Sequence, residues 1–105
     1  MDTNGRQIQQ GDVLLRGVSS IPKMAKKKAD TVVAYGEVTF HKHEVLGEGV
    51  AVYEDEQGTL YVSAPHGGSI VHEEHKAITL PPGNFKIGIV KEFDHFKEEA
   101  KNVAD

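Results

Sequence analysis

The chain has 105 residues, a formal net charge of −4 from 12 basic and 16 acidic side chains, 38% hydrophobic residues and no cysteine. That length and balance suit one domain, residues 1–105, with a single core, and they exclude disulfide staples, thiol nucleophiles and thiolate-rich zinc sites. The acidic surplus argues against nucleic acid as a partner, and the absence of a signal-like start or a membrane-length apolar run leads us to expect a soluble cytoplasmic protein with no membrane contact.

Residues 1–10 read as a loose polar lead-in, with Asn4-Gly5 as a turn. Gly11-Asp12 introduces Val13-Leu14-Leu15, a short apolar run that suits a buried strand. Lys23 to Lys28, KMAKKK, lacks the interleaved aromatics of a nucleic-acid surface and reads as a solvated loop. The run Val32 to Leu46, VVAYGEVTFHKHEVL, has the β-branched and aromatic content of a strand. If it is extended, alternation sets Glu37, Thr39, His41 and His43 on one face, and Gly36 marks a bulge or close approach within it.

Val50 to Glu54 and Thr59 to Ala64 alternate on either side of Asp55-Glu56-Gln57-Gly58, which predicts a hairpin with Val50, Val52, Leu60 and Val62 inward. After the Pro65-His66-Gly67-Gly68 loop, Ser69 to Val71 starts a strand that runs into His72-Glu73-Glu74-His75 and resumes at Ala77. Pro81-Pro82-Gly83-Asn84 is a turn, and Phe85, Ile87 and Ile89 mark a last strand. From Phe93 the pattern turns helical, with Asp94 as N-cap and Phe96, Ala100 and Val103 on the buried side. The expected class is all-β and mainly antiparallel: a small barrel or sandwich of six to seven strands with a short C-terminal helix.

Two histidine pairs, His41 with His43 and His72 with His75, are the candidate metal ligands. An extended H-x-H aims two imidazoles at one ion, whereas the i, i+3 spacing of HEEH serves one site only if that segment bulges or turns. Such nitrogen and oxygen donors suit zinc, iron, nickel or manganese. A divalent metal with an open position would acidify bound water, and Glu73 or Glu37 is the candidate catalytic base or further ligand. The competing readings are a solvated or pH-responsive histidine face and a metal-free pocket. His66 and His95 read as ordinary exposed residues. No G-x-S-x-G elbow or phosphate-cradling glycine loop is present.

Gln10-Gly11-Asp12-Val13, Gly36-Glu37-Val38-Thr39 with His41-x-His43, His72-Glu73-Glu74-His75, Leu80-Pro81-Pro82-Gly83 and Lys91-Glu92-Phe93 together resemble a family of small uncharacterised proteins of phages, prophages and other mobile elements. The likeness covers nearly the whole chain. Its usual motif is G-E-x-T-G-H-x-H, from which Phe40 departs where glycine is typical. The H-x-H is also loosely similar to the first cupin motif, although the later cupin glutamate and histidine are not at their spacings.

The leading expectation is a small metal-binding β-barrel protein of phage or mobile-element type, a candidate metal-dependent hydrolase. The alternative is a non-enzymatic accessory or assembly protein without metal. The partner is a small ligand or a protein of unknown identity, and edge strands in so small a sheet favour a homodimer.

Overall fold

The computed structural model of the chain describes residues 4–35 and 41–90. Among the described residues ten strands follow one another: β1 (Gln7–Gln10), β2 (Val13–Val18), β3 (Lys26–Lys27), β4 (Val32–Tyr35), β5 (Lys42–Leu46), β6 (Ala51–Glu54), β7 (Leu60–Ala64), β8 (Gly68–Val71), β9 (Ile78–Leu80) and β10 (Gly83–Ile89). They form a six-stranded sheet, β1-β2-β10-β7-β6-β3, and a four-stranded sheet, β4-β5-β8-β9. Every ladder is antiparallel. Among the described residues no helix is long and apolar enough to cross a membrane.

Alternation along the strands builds the core. In β2, Val13 and Leu15 are buried while Arg16 faces out, and in β10 Phe85 and Ile87 are buried while Lys86 faces out. The register joins Phe85 to Gly17 on one side and to Val62 on the other, so the largest fully buried side chain sits mid-sheet. From the smaller sheet, Val33, Val45, Ile70 and Leu80 enter the same cluster as Val13, Leu15, Val52, Val62 and Phe85. Two sheets therefore share one core. Each fully buried valine, leucine or phenylalanine contributes about 1.5–3 kcal/mol from apolar surface removed from water.

This arrangement corrects the barrel alternative: the two sheets are open, not closed on themselves, and the antiparallel all-β class stands. The strand number also exceeds the six or seven expected. Polar, short strands such as β1, expected as a loose lead-in, and β3, expected as a loop, lack an apolar alternation of their own and form because a neighbour presents its edge. At that outer edge Lys26 and Lys27 are exposed, and charged side chains there discourage pairing with a further strand.

Val32 to Leu46 is not one strand. Val32 pairs with Glu44 and Tyr35 with Lys42, so the chain reverses between β4 and β5. The register irregularity falls between Val32 and Ala34, upstream of Gly36, and both Val32 and Val33 are consequently buried. The expected sharing of a face by Glu37 and His41 assumed an unbroken strand. Glu37 itself, with Gly36, Thr39 and Phe40, lies outside the described residues, as does the helix expected from Phe93.

Candidate metal centre

The pairing of β5 with β8 sets Glu44 opposite Val71. Carried outward, that register brings His43, Lys42 and His41 opposite His72, Glu73 and Glu74. The regular ladder ends there, and side chains take over its bonds. The Lys42 N–H donates to Glu73 Oε1 at 2.8 Å, His41 Nδ1 lies 3.8 Å from Glu74 Oε2, and the His43 and His72 ring centroids are 4.3 Å apart. An H-x-H strand and an HEEH segment, far apart in sequence, thus meet through one antiparallel register.

Between β8 and β9 the chain turns, which resolves the i, i+3 spacing of His72 and His75. Their centroids lie 4.7 Å apart. His72 is the hub, since it also contacts His41 edge-on at 5.5 Å. His75 reaches His43 at 5.8 Å and rests on the tip of the β1–β2 hairpin. That tip explains Gly11: its φ is +59°, and a Cβ there would stand 2.7 Å from His75 Nε2. A side chain at position 11 would therefore have to displace the imidazole. All four predicted histidines come together.

A tight group within this cluster is formed by His41, His72 and Glu73, whose ligand atoms all lie within 4.8 Å of one another. Backbone N–H donation from Lys42 is the main cause holding the Glu73 carboxyl below its ordinary range, so it is ionised at neutral pH. His72 Nδ1 accepts the Glu74 N–H at 3.0 Å, which leaves its proton on Nε2 in the neutral ring. An ion bound at either nitrogen of His72 needs that bond released: a ligating Nδ1 has no lone pair to spare, and a neutral ring ligating through Nε2 carries its proton on Nδ1.

His43 is held differently. With Gln10 it makes up the buried polar residues of the described chain, at 3% and 2% exposure. The Gln10 Nε2 donates to the carbonyls of Ile70 at 3.0 Å and Lys76 at 2.9 Å, which settles the amide orientation and turns Oε1 toward His43 Nδ1 at 2.9 Å. An oxygen can only accept there, so the neutral ring carries its proton on Nδ1 and its lone pair on Nε2. Asp12 Oδ1 lies 3.9 Å from that Nε2. Burial pushes the His43 pKa down, the neighbouring His72 and His75 add to this, and Asp12 and Glu73 oppose it.

Gln10, Asp12 and Glu74 were not among the site residues expected from the sequence. A polar Q-G-D at a hairpin tip looks like any turn, and its role follows only from the β1–β2 hairpin folding back over the β8–β9 turn. His66 is exposed in the loop after β7, and His95 lies outside the described residues. With neutral imidazoles, the carboxylates of Asp12, Glu73 and Glu74 make this end of the molecule locally anionic, a setting that attracts cations.

No curated protein and no solved structure matches the chain. A family model described as a domain of unknown function (DUF8820) matches residues 9–89, the span that holds Gln10 and all four histidines of the cluster, and the chain belongs to that family.

Proposed function

We propose that the protein binds a divalent transition-metal ion through His41, His72 and Glu73. The observation that carries this reading is the convergence of two imidazoles and a carboxylate to within 4.8 Å of one another. The mixed nitrogen and oxygen set suits zinc, iron, nickel or manganese, and three protein ligands leave a position open to water or substrate. When bound, the ion supplies Lewis acidity and an acidified water, the chemistry of a metal-dependent hydrolase. Glu73 fits a ligand better than a general base, because Lys42 keeps its carboxyl below the ordinary range and a base works best with a pKa near the operating pH. Glu74, beside His41, is the carboxylate left free to orient a water or a substrate proton. We take the setting to be a phage or mobile element, on the resemblance of the motifs, and the sheet edges other than the lysine-bearing β3 to support a homodimer.

The test is elemental analysis of protein purified without a histidine tag and reloaded after chelation, beside a His41→Ala/His72→Ala variant. Wild type is expected to hold a stoichiometric ion that the variant loses. Loading should also shift the Glu74 amide resonance, because its acceptor on His72 is withdrawn. Loading unchanged by the variant, or wild type that holds no ion, would overturn the proposal and leave the accessory-protein reading.

A further inference from the structure

The side of the cluster away from Glu73 poses a separate problem of hydrogen-bond bookkeeping. Gln10 fixes His43 with its proton on Nδ1, so the Nε2 of a 3%-exposed side chain is a lone pair. Among the described residues no N–H or O–H donates to it. The polar atom that faces it is another acceptor, Asp12 Oδ1 at 3.9 Å. A lone pair and a carboxylate facing one another across a gap repel unless something positive stands between them. A bridging water lends one hydrogen to each but brings no positive charge, and the exposed Asp12 carboxylate leaves the gap open to an ion from solvent.

We propose that His43 Nε2 and the Asp12 carboxylate form a second divalent-cation position, with Gln10 as its positioning residue, beside the one at His41, His72 and Glu73. It rests on the proposed function for the kind of ion. The placement is independent of it. The donor pair, one imidazole nitrogen and one carboxylate oxygen, matches the same zinc, iron, nickel and manganese class. His72 stands between the two positions, its centroid 4.3 Å from His43 and 5.5 Å from His41. The imidazoles thereby divide between two neighbouring ions instead of crowding onto one. His75, stacked at 5.8 Å from His43 with its ring against Gly11, brings a further imidazole to the hairpin tip that carries Asp12.

Gln10 earns its place through geometry. Its two donated bonds, to Ile70 of β8 and to Lys76 of the following turn, lock the amide so that only oxygen can face His43. A ligand imidazole whose other nitrogen is bonded in this way has its ring plane and tautomer set before the ion arrives.

The experiment titrates chelator-treated, tag-free protein with zinc, and separately with manganese, by calorimetry and by elemental analysis after dialysis, on wild type, Asp12→Asn, Gln10→Leu and His41→Ala/His72→Ala. Asparagine keeps the shape and the turn preference of Asp12, and the melting temperature of each ion-free variant checks folding. Wild type is expected to take two equivalents. Asp12→Asn should keep the His41-dependent equivalent and lose the other, and Gln10→Leu should weaken that second equivalent by about 10–100-fold. The His43 Nε2 resonance in nitrogen-15 spectra should move on the second addition and not the first. A single equivalent in wild type that Asp12→Asn leaves untouched overturns the second position while leaving the first intact. An Nε2 signal that responds to pH but not to metal means the gap holds a proton only, and overturns it too. A single equivalent in wild type that Asp12→Asn removes and His41→Ala/His72→Ala leaves untouched would instead refute the first position alone.

Discussion

The middle of the larger sheet and the Gln10–His43 pair at the histidine cluster are both buried, but under opposite requirements. Around Phe85 the buried cluster is apolar: Leu15, Val62 and Ile87 fill space, and the requirement on each is volume and shape. At the other end burial falls on Gln10 and His43, whose polar atoms must each find a partner, so the requirement is a particular donor or acceptor at a particular point. An apolar neighbourhood tolerates an isosteric hydrophobe. A polar pair tolerates almost nothing, because removing one member strands the other. The contrast separates residues that fold the protein from residues that constrain its chemistry.

The sharpest break of that contrast is Phe85→Ala. Its side chain has no exposure, so the variant loses both transfer energy and packing, and chemical denaturation should show a loss of about 3–5 kcal/mol. The His41-dependent metal equivalent should survive wherever the variant still folds, since Phe85 touches no ligand. If ion stoichiometry fell in proportion to stability at saturating metal, the two regions would not be separable.

Gln10→Ala comes next. It leaves the carbonyls of Ile70 and Lys76 and the Nδ1 of His43 short of partners, at a cost of roughly 1–3 kcal/mol. A denaturation midpoint equal to that of wild type would mean that water replaces the amide without loss, and that burial here is less demanding than the geometry implies.

The smallest effect is the pH dependence of the ion-free protein. His43 has a folded-state pKa below its unfolded value, so the unfolded chain binds the proton more readily. The stability that goes with neutral His43 is complete above an unfolded pKa of about 6.5 and is lost as the pH falls toward the lowered folded value. Denaturation midpoints measured from pH 8 down to pH 5 should therefore decline below about 6.5, and His43→Gln should flatten the decline. An unchanged slope in that variant would move the titration elsewhere. The Phe85 region contains no such group.

Much of the fold was legible because alternation is local. Leu60 to Ala64, Ala51 to Glu54 and Phe85 to Ile89 carry a period of two in their own residues, and each is a strand. What misled was continuity. Val32 to Leu46 is strand-like nearly throughout, and local pattern does not say that Tyr35 returns to pair with Lys42. The edge strands were illegible for the complementary reason, as Gln7–Gln10 and Lys26–Lys27 are extended only because β2 and β6 offer them partners.

The candidate site divides along the same line. By itself the sequence determined the ligand chemistry: four imidazoles in two spaced pairs, carboxylates next to one pair, and the need for HEEH to turn, all of which follow from residue type and the geometry of an extended chain. Only the tertiary structure decided that Glu44 pairs with Val71, which brings the two pairs face to face, and that the Gln10-Gly11-Asp12 hairpin closes over them. The reason is physical. A side chain's donor atoms are written in its own residue, but the tautomer of His43 and the open lone pair it turns toward Asp12 depend on an amide 33 residues away, fixed in turn by one carbonyl of β8 and one of the turn that follows it.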